Sequence, residues 1–196
     1  MPKIDNETFY TSAIEHHGIT PRGVNWLSQE SQELRFEVLL SMLPKDLTKY
    51  TLADAGCGFG DLYLYMKKND ILLKRYIGID ALEQMCDIAK KRTNSEIYNL
   101  DICKDTLPSA DFYVCSGAMN VLKSFETHLF IAKCFKASQY GFVFNILHGE
   151  KESQTYNYIT TQEIRKIAKE LKVSSFSIRD DYLQNDITVA FFKGSV

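Results

Sequence analysis

The sequence has no pair of cysteines at the two-residue spacing of a zinc or redox motif. Its five cysteines (Cys57, Cys86, Cys103, Cys115 and Cys134) are odd in number and scattered. That set suits neither a disulfide framework nor a zinc site. Three fall inside strand or helix patterns, where cysteine behaves as a small hydrophobe. No stretch is long and apolar enough to cross a bilayer. The opening run MPKIDNETFYTSAIEHHG lacks the apolar core of a signal peptide. A mature cytoplasmic protein with no membrane partner is therefore expected. Excess charge is missing too: a net charge of −2 offers nucleic acid no general attraction. There is no internal repeat and no low-complexity linker.

What is present is ordinary globular composition, 45% hydrophobic and 24% charged over 196 residues, enough for one domain and one core. From Tyr50 onward strand-like and helix-like segments alternate. Strands are expected at 50–55, 76–80, 96–101, 111–116 and 140–147, and helices at 60–68, 82–92 and 124–137. In the second helix Leu82, Met85, Cys86 and Ala89 share a face. The run 140–147 is nearly all apolar, as a central strand covered on both sides should be. Thr160 and Glu163 form a capping box for a helix at 161–171. Two closing strands, 173–180 and 187–193, flank a turn-rich connection that suits an antiparallel hairpin. Two helices precede Tyr50, near 6–17 and 29–43, the second with Leu34, Val38, Leu39 and Met42 inward. The pattern predicts an α/β fold with a doubly wound, mostly parallel seven-stranded sheet and an antiparallel C-terminal hairpin. One domain spans 1–196, with 1–48 a helical cap or lid over an α/β core at 49–196.

The segment Asp54-Ala55-Gly56-Cys57-Gly58-Phe59-Gly60-Asp61 follows the first strand. Its glycines let the backbone turn sharply and let a ligand approach without meeting a Cβ. Carboxylates flank them, and two acids beside a pyrophosphate would repel it. The spacing is G-x-G-x-G then Asp, and no Gly-Lys-Ser/Thr follows, so a P-loop is excluded. The loop suits a cationic ligand.

Residues 54–62 resemble the glycine-rich first motif of the class I S-adenosylmethionine-dependent methyltransferases, a Rossmann-like fold. The resemblance extends over about 50–147 and implies S-adenosyl-L-methionine as cofactor, S-adenosyl-L-homocysteine as product, and Asp54, Ala55, Gly56 and Gly58 as cofactor contacts. Gly78-Ile79-Asp80 ends the second strand, where the family's acidic residue binds both ribose hydroxyls. The two oxygens of one carboxylate suit a vicinal diol. Ala81 and Leu82 are then expected against the adenine, with Asp101 and the backbone N–H of Ile102 reading its edge. Ser116-Gly117-Ala118 would lie beside the methionine part. The run Gly23–Phe36 is also similar to a group of small bacterial methyltransferases of poorly defined substrate. That likeness makes Trp26 and Arg35 candidate contacts, with Arg35 aimed at the cofactor's carboxylate.

Each assignment has a structural counterpart. Asp54 could cap its loop, Asp80 the following helix, Asp101 a solvated turn. Trp26 could be packing, and Arg35 an exposed ion pair. Cys57 is structural, because methyl transfer from a sulfonium needs no enzyme nucleophile. Lys90-Lys91-Arg92 reads as a solvated helix face. His16 and His17 point apart on a helix and have no acidic partners, so no metal is expected.

Methyl transfer depends mostly on positioning the acceptor, with a general base where a proton must leave. Cys115-Ser116-Gly117-Ala118 is not the Asp/Asn-Pro-Pro-Tyr/Phe of enzymes that methylate amide or exocyclic amine nitrogen. A small polar acceptor methylated at oxygen is the expectation, with no nucleic-acid partner and a monomer or homodimer. The alternative is a non-catalytic S-adenosylmethionine-binding module or a silent subunit. His148 is the candidate base, and Asn120 a candidate catalytic neighbour.

Overall fold

The computed structural model describes residues 28–194 together with Thr8, Ser12, Glu15, His16 and residues 18–20. Trp26, His17 and most of the expected helix near 6–17 lie outside the described residues. Helix α1, Gln29–Ser41, is opened by Ser28, whose hydroxyl accepts from the backbone N–H of Ser31. Next come β1 Thr51–Ala55, α2 Asp61–Lys68, β2 Arg75–Asp80, α3 Glu83–Thr93, β3 Glu96–Asn99 and β4 Ala110–Ser116. A short 3-10 turn, Ala118–Val121, leads into α4 Ser124–Ala137, β5 Ser138–Leu147, α5 Thr161–Glu170, β6 Ser175–Arg179 and β7 Asp186–Phe192. Among the described residues no helix is long and apolar enough to cross a membrane.

The seven strands run in the order β3-β2-β1-β4-β5-β7-β6. The first five pair in parallel, and β7 is antiparallel to both β5 and β6. This is the expected doubly wound sheet with its antiparallel end. The order reverses between β1 and β4, so their carboxyl ends open a crevice of the kind that receives ligands in such sheets.

Most boundaries shift by a residue or two from the sequence reading, and two of the shifts have a visible cause. β3 stops at Asn99, because the Asn99 side-chain amide donates to the carbonyls of Asp80 and Ala81 at 3.1 and 2.9 Å and draws the chain inward. Helix α4 passes straight into β5 at Ser138. The Lys193 ammonium caps that corner, donating to the carbonyls of Lys136 and Ser138.

Successive strand residues point to opposite faces, and the register fixes which residues share one. Leu52 and Asp54, Tyr76, Gly78 and Asp80, Val114 and Ser116, Val143 and Asn145, and Ala190 and Thr188 line the same face. Their apolar members pack with Phe36 and Leu39 of α1 and Leu62 and Met66 of α2. The other face carries Ile79, Cys115, Phe144 and Ile146 against α4 and α5. On the first face, then, apolar rows give way to polar ones at the carboxyl ends of the strands.

Candidate functional site

The loop between β1 and α2 is hung from β2. The backbone N–H groups of Gly56 and Cys57 both donate to the carbonyl of Ile79, at 2.7 and 3.0 Å. Gly56, Gly58 and Gly60 all have positive φ, at 78°, 53° and 78°. Gly56 also abuts the segment after β4: a Cβ there would lie 2.2 Å from the Cβ of Ala118. The loops following β1 and β4 thus meet with no room for a side chain between them.

Two carboxylates stand at this crevice. Asp54 is 2% exposed and accepts from the Tyr76 hydroxyl at 2.7 Å. Burial pushes its carboxyl up to about 7; the Tyr76 hydrogen bond opposes this, while Asp80 and Asp61 add to it. Asp80 is half-buried, and accepts from the backbone N–H of Gly58 at 2.9 Å and of Leu82 at 3.0 Å. Its carboxyl is also raised, by burial, against the lowering effect of those amides. Ionisation of both acids is held back by their surroundings, so a cation placed between them is stabilising.

Asp61 behaves differently from the sequence reading. Its carboxylate accepts from Arg92 Nη1 at 2.7 Å and from the Gln32 side-chain amide at 3.3 Å. Arg92 also donates to the carbonyl of Phe59 at 2.9 Å. The negative charge of the crevice therefore comes from Asp54 and Asp80, while Asp61 is neutralised. Arg92, expected on a solvated helix face, is a clamp on the glycine loop.

The remaining cofactor candidates fall along the same edge. Ala81 is exposed and Leu82 half-buried just beyond Asp80. Asp101 lies in the turn after β3, where it accepts from the N–H of Cys103 and pairs with Lys104, each at 2.8 Å. Burial would raise its carboxyl, but Lys104 and the turn amides outweigh that and lower it. The side chain of Ile102 is packed into the core beside it. Ser116 ends β4 and Gly117, with φ 78°, turns the chain after it. Ala55 is fully buried at the end of β1.

Arg35 points elsewhere than expected. Its Nε donates to Asp186 at 2.9 Å, its Nη2 to the other oxygen of the same carboxylate, and its Nη1 to the carbonyl of Ser31 at 3.1 Å. The ion pair is buried, not exposed: the side chains are 10% and 2% accessible. A guanidinium matched two-for-two with one carboxylate is poorly placed to receive a second one. Next to it the Tyr182 hydroxyl meets Thr188 Oγ1 at 2.8 Å. Asp186, Tyr182 and Thr188 were not singled out from sequence; the hairpin they belong to was.

His148 and Asn120 have structural partners. His148 lies one residue past β5, in step with Phe144 and Ile146 on the α4–α5 face, and its Nε2 is 3.1 Å from the Thr161 hydroxyl. Asp54, Ser116 and Asn145 occupy the opposite face. Asn120 Oδ1 accepts from the backbone N–H of Leu147 at 3.0 Å, and its carbonyl from that of Asn157 at 2.6 Å. Asn120 thereby staples the segments after β4 and β5 together. Among the described residues no group of three or more His, Cys, Asp or Glu gathers to hold a metal.

Residues 52–141 match the family model described as a methyltransferase domain. No curated protein matches the chain in sequence. Solved structures do match in fold. Magnesium protoporphyrin IX methyltransferase from Synechocystis PCC 6803, with bound SAH, gives a TM-score of 0.68 at 13% identity, over 84% of this chain and 83% of that one. Human N-acetylserotonin methyltransferase in complex with SAM gives 0.71 at 16% identity, over 98% of this chain and 61% of that one. A putative S-adenosylmethionine-dependent methyltransferase from Listeria monocytogenes gives 0.61 at 17% identity, over 83% of this chain and 99% of that one. Residues 52–141 thus match a methyltransferase domain, and the seven-stranded fold is one that S-adenosylmethionine-dependent methyltransferases share.

Proposed function

We propose that the protein binds S-adenosylmethionine across the carboxyl ends of β3, β2, β1 and β4 and methylates a small molecule at a hydroxyl oxygen. One observation carries this reading: a glycine loop of three positive-φ residues lies between two buried-edge acids, Asp54 and Asp80, at the point where strand order reverses. The residues fit the group. Gly56 lets the loops after β1 and β4 meet at the crevice, and Asp54 and Asp80 supply the negative charge that an ammonium and a sulfonium favour. Asp80 presents two oxygens to a vicinal diol, and its hydrogen bonds to Gly58 and Leu82 hold them still. On this reading Asp101 and the N–H of Ile102 would read the adenine edge, and Ser116 would meet the methionine end. When bound, the cofactor supplies an electrophilic methyl group. The chain's own part is to orient the acceptor, and His148, turned toward α5, leaves positioning as the main contribution.

The small-acceptor reading is supported by the low net charge, which offers nucleic acid no general attraction. Calorimetric titration with S-adenosylhomocysteine and NAD tests the cofactor: the first should bind in the micromolar range and the second far more weakly. Asp80→Ala removes charge-assisted hydrogen bonds of about 1.5–3 kcal/mol each and should lower affinity about tenfold or more. Incubation with methyl-labelled cofactor and separated metabolite, tRNA and protein pools tests the acceptor. Label confined to tRNA or protein would overturn the small-molecule reading, and equal binding of NAD would overturn the cofactor.

A further inference from the structure

The polar row continues past the strands that carry the cofactor motifs. Beyond Ser116 it runs level through Asn145 on β5 and Thr188 on β7. Asn145 is 1% exposed, and its amide meets the Ser116 hydroxyl at 3.3 Å. Thr188 is 0% exposed, and its hydroxyl meets that of Tyr182 at 2.8 Å. Ser116 and Tyr182 themselves are half-buried and keep surface at the sheet edge. The arrangement is the same twice: a hydroxyl on a half-buried residue, hydrogen-bonded to a buried polar side chain. Buried amides and hydroxyls are costly to leave poorly paired, so proteins keep them where a role requires it.

Among the described residues, the two arginines near this pair of hydroxyls are each matched by an acid. Arg35 is matched with Asp186. Arg179, level with Thr188 on β6, pairs with Asp181 at 2.7 Å. Burial, the largest influence, pushes the Tyr182 hydroxyl up to about 12, which keeps it a neutral donor at ordinary pH. Around the same strand ends, Phe125 and Tyr156 are 71% and 38% exposed on the segments that follow β4 and β5. Asn157 ties those segments together through Asn120 and through the Thr127 hydroxyl, the latter at 2.9 Å.

We propose that the hydroxyls of Tyr182 and Ser116, held by Thr188 and Asn145, form the acceptor subsite, and that it takes an uncharged, hydroxyl-bearing molecule with an apolar body. A neutral hydroxyl both donates and accepts, and so matches a fixed hydroxyl; among the described residues the two arginines nearby, Arg35 and Arg179, are each matched to an acid, so a carboxylate acceptor would lose more on desolvation. The proposal rests on the methyl-transfer reading above, and names the substrate class of that site.

The test uses phenol and benzoate, similar in size and different in charge, titrated into the S-adenosylhomocysteine complex and followed by protein chemical shifts. Phenol should bind about tenfold more tightly than benzoate, an effect within the reach of one desolvated charge. Tyr182→Phe should weaken phenol about fivefold while S-adenosylhomocysteine affinity stays within about twofold. Thr188→Val, which keeps the ring and removes the hydroxyl beneath it, should move phenol affinity in the same direction by a smaller factor. Equal or tighter binding of benzoate overturns the proposal, as does unchanged phenol affinity in Tyr182→Phe. If S-adenosylhomocysteine does not bind the wild type, the cofactor reading fails instead. The phenol–benzoate comparison on the free protein then decides the subsite separately.

Discussion

The two halves of the sheet's carboxyl edge handle charge in opposite ways. On the β3-β2-β1 side the strands are parallel, and Asp54 and Asp80 are raised by burial with hydrogen-bond donors and, among the described residues, no cation against them. On the β5-β7-β6 side the strands turn antiparallel, and the buried acid Asp186 is matched by Arg35. The first half keeps negative charge poised for a cationic ligand. The second removes net charge and leaves hydroxyls and an amide. On the proposed reading, one edge would hold a charged cofactor and a neutral acceptor side by side without the two exchanging places.

The largest expected effect breaks the neutral half. Arg35→Met leaves Asp186 buried without its partner and should cost about 3–5 kcal/mol of stability, measured by urea unfolding. The double variant Arg35→Met/Asp186→Leu should recover most of that loss, since an apolar pair replaces the ionic one. A single variant as stable as wild type would show that the pair is not buried in solution.

Next in size is the cofactor half. Gly56→Val places a Cβ where Ala118 already sits and demands a positive φ from a β-branched residue. S-adenosylhomocysteine affinity should fall about 100-fold by calorimetry. Wild-type affinity would remove the glycine loop from the site.

A smaller effect sharpens the contrast through pH. Asp54 has its carboxyl raised from the ordinary 3.8 to about 7. A raised carboxyl contributes stability that is fully present below the unfolded value and is lost as pH rises through the folded one. Relative to Asp54→Asn, the wild type should lose stability between pH 3.8 and about 7, then level off. Cofactor affinity should move the other way and strengthen as Asp54 ionises. A stability difference flat across that window would mean Asp54 is solvated.

The smallest expected effect concerns His148. Placed on the α5 face beside Thr161, it should tolerate His148→Asn with turnover changed by less than about threefold. A loss of about 10²–10⁴-fold would restore it as a general base.

How much of this was legible in the sequence follows from chain distance. The strands, the capping box at Thr160 and Glu163 and the glycine loop are local patterns, and the structure reproduces them with boundary shifts of a residue or two. The clamp of Arg92 on Asp61 joins residues 31 apart, and Arg35 meets Asp186 across 151. A charged residue on a helix looks the same in sequence whether its partner is water or a buried acid, so neither pairing could be read. His148 is a different case. The alternation that puts Asn145 on the cofactor face puts His148 on the other, and following the period past the end of β5 was enough to see it.

Strand β7 has a consequence for how the molecule comes together. It lies between β5 and β6, although both precede it in the chain. Before residues 186–192 are available, β6 has no neighbour to pair with, and the antiparallel edge of β5 stands open. The Lys193 ammonium that caps the α4–β5 corner arrives with the same segment. During synthesis the parallel half therefore has all its strands early, while the antiparallel half waits for distant contacts that are slow to form and prone to mispairing. Ribosome-bound chains halted before Asp186 should already hold the glycine loop, yet expose a sticky strand edge that chaperones would be expected to recognise.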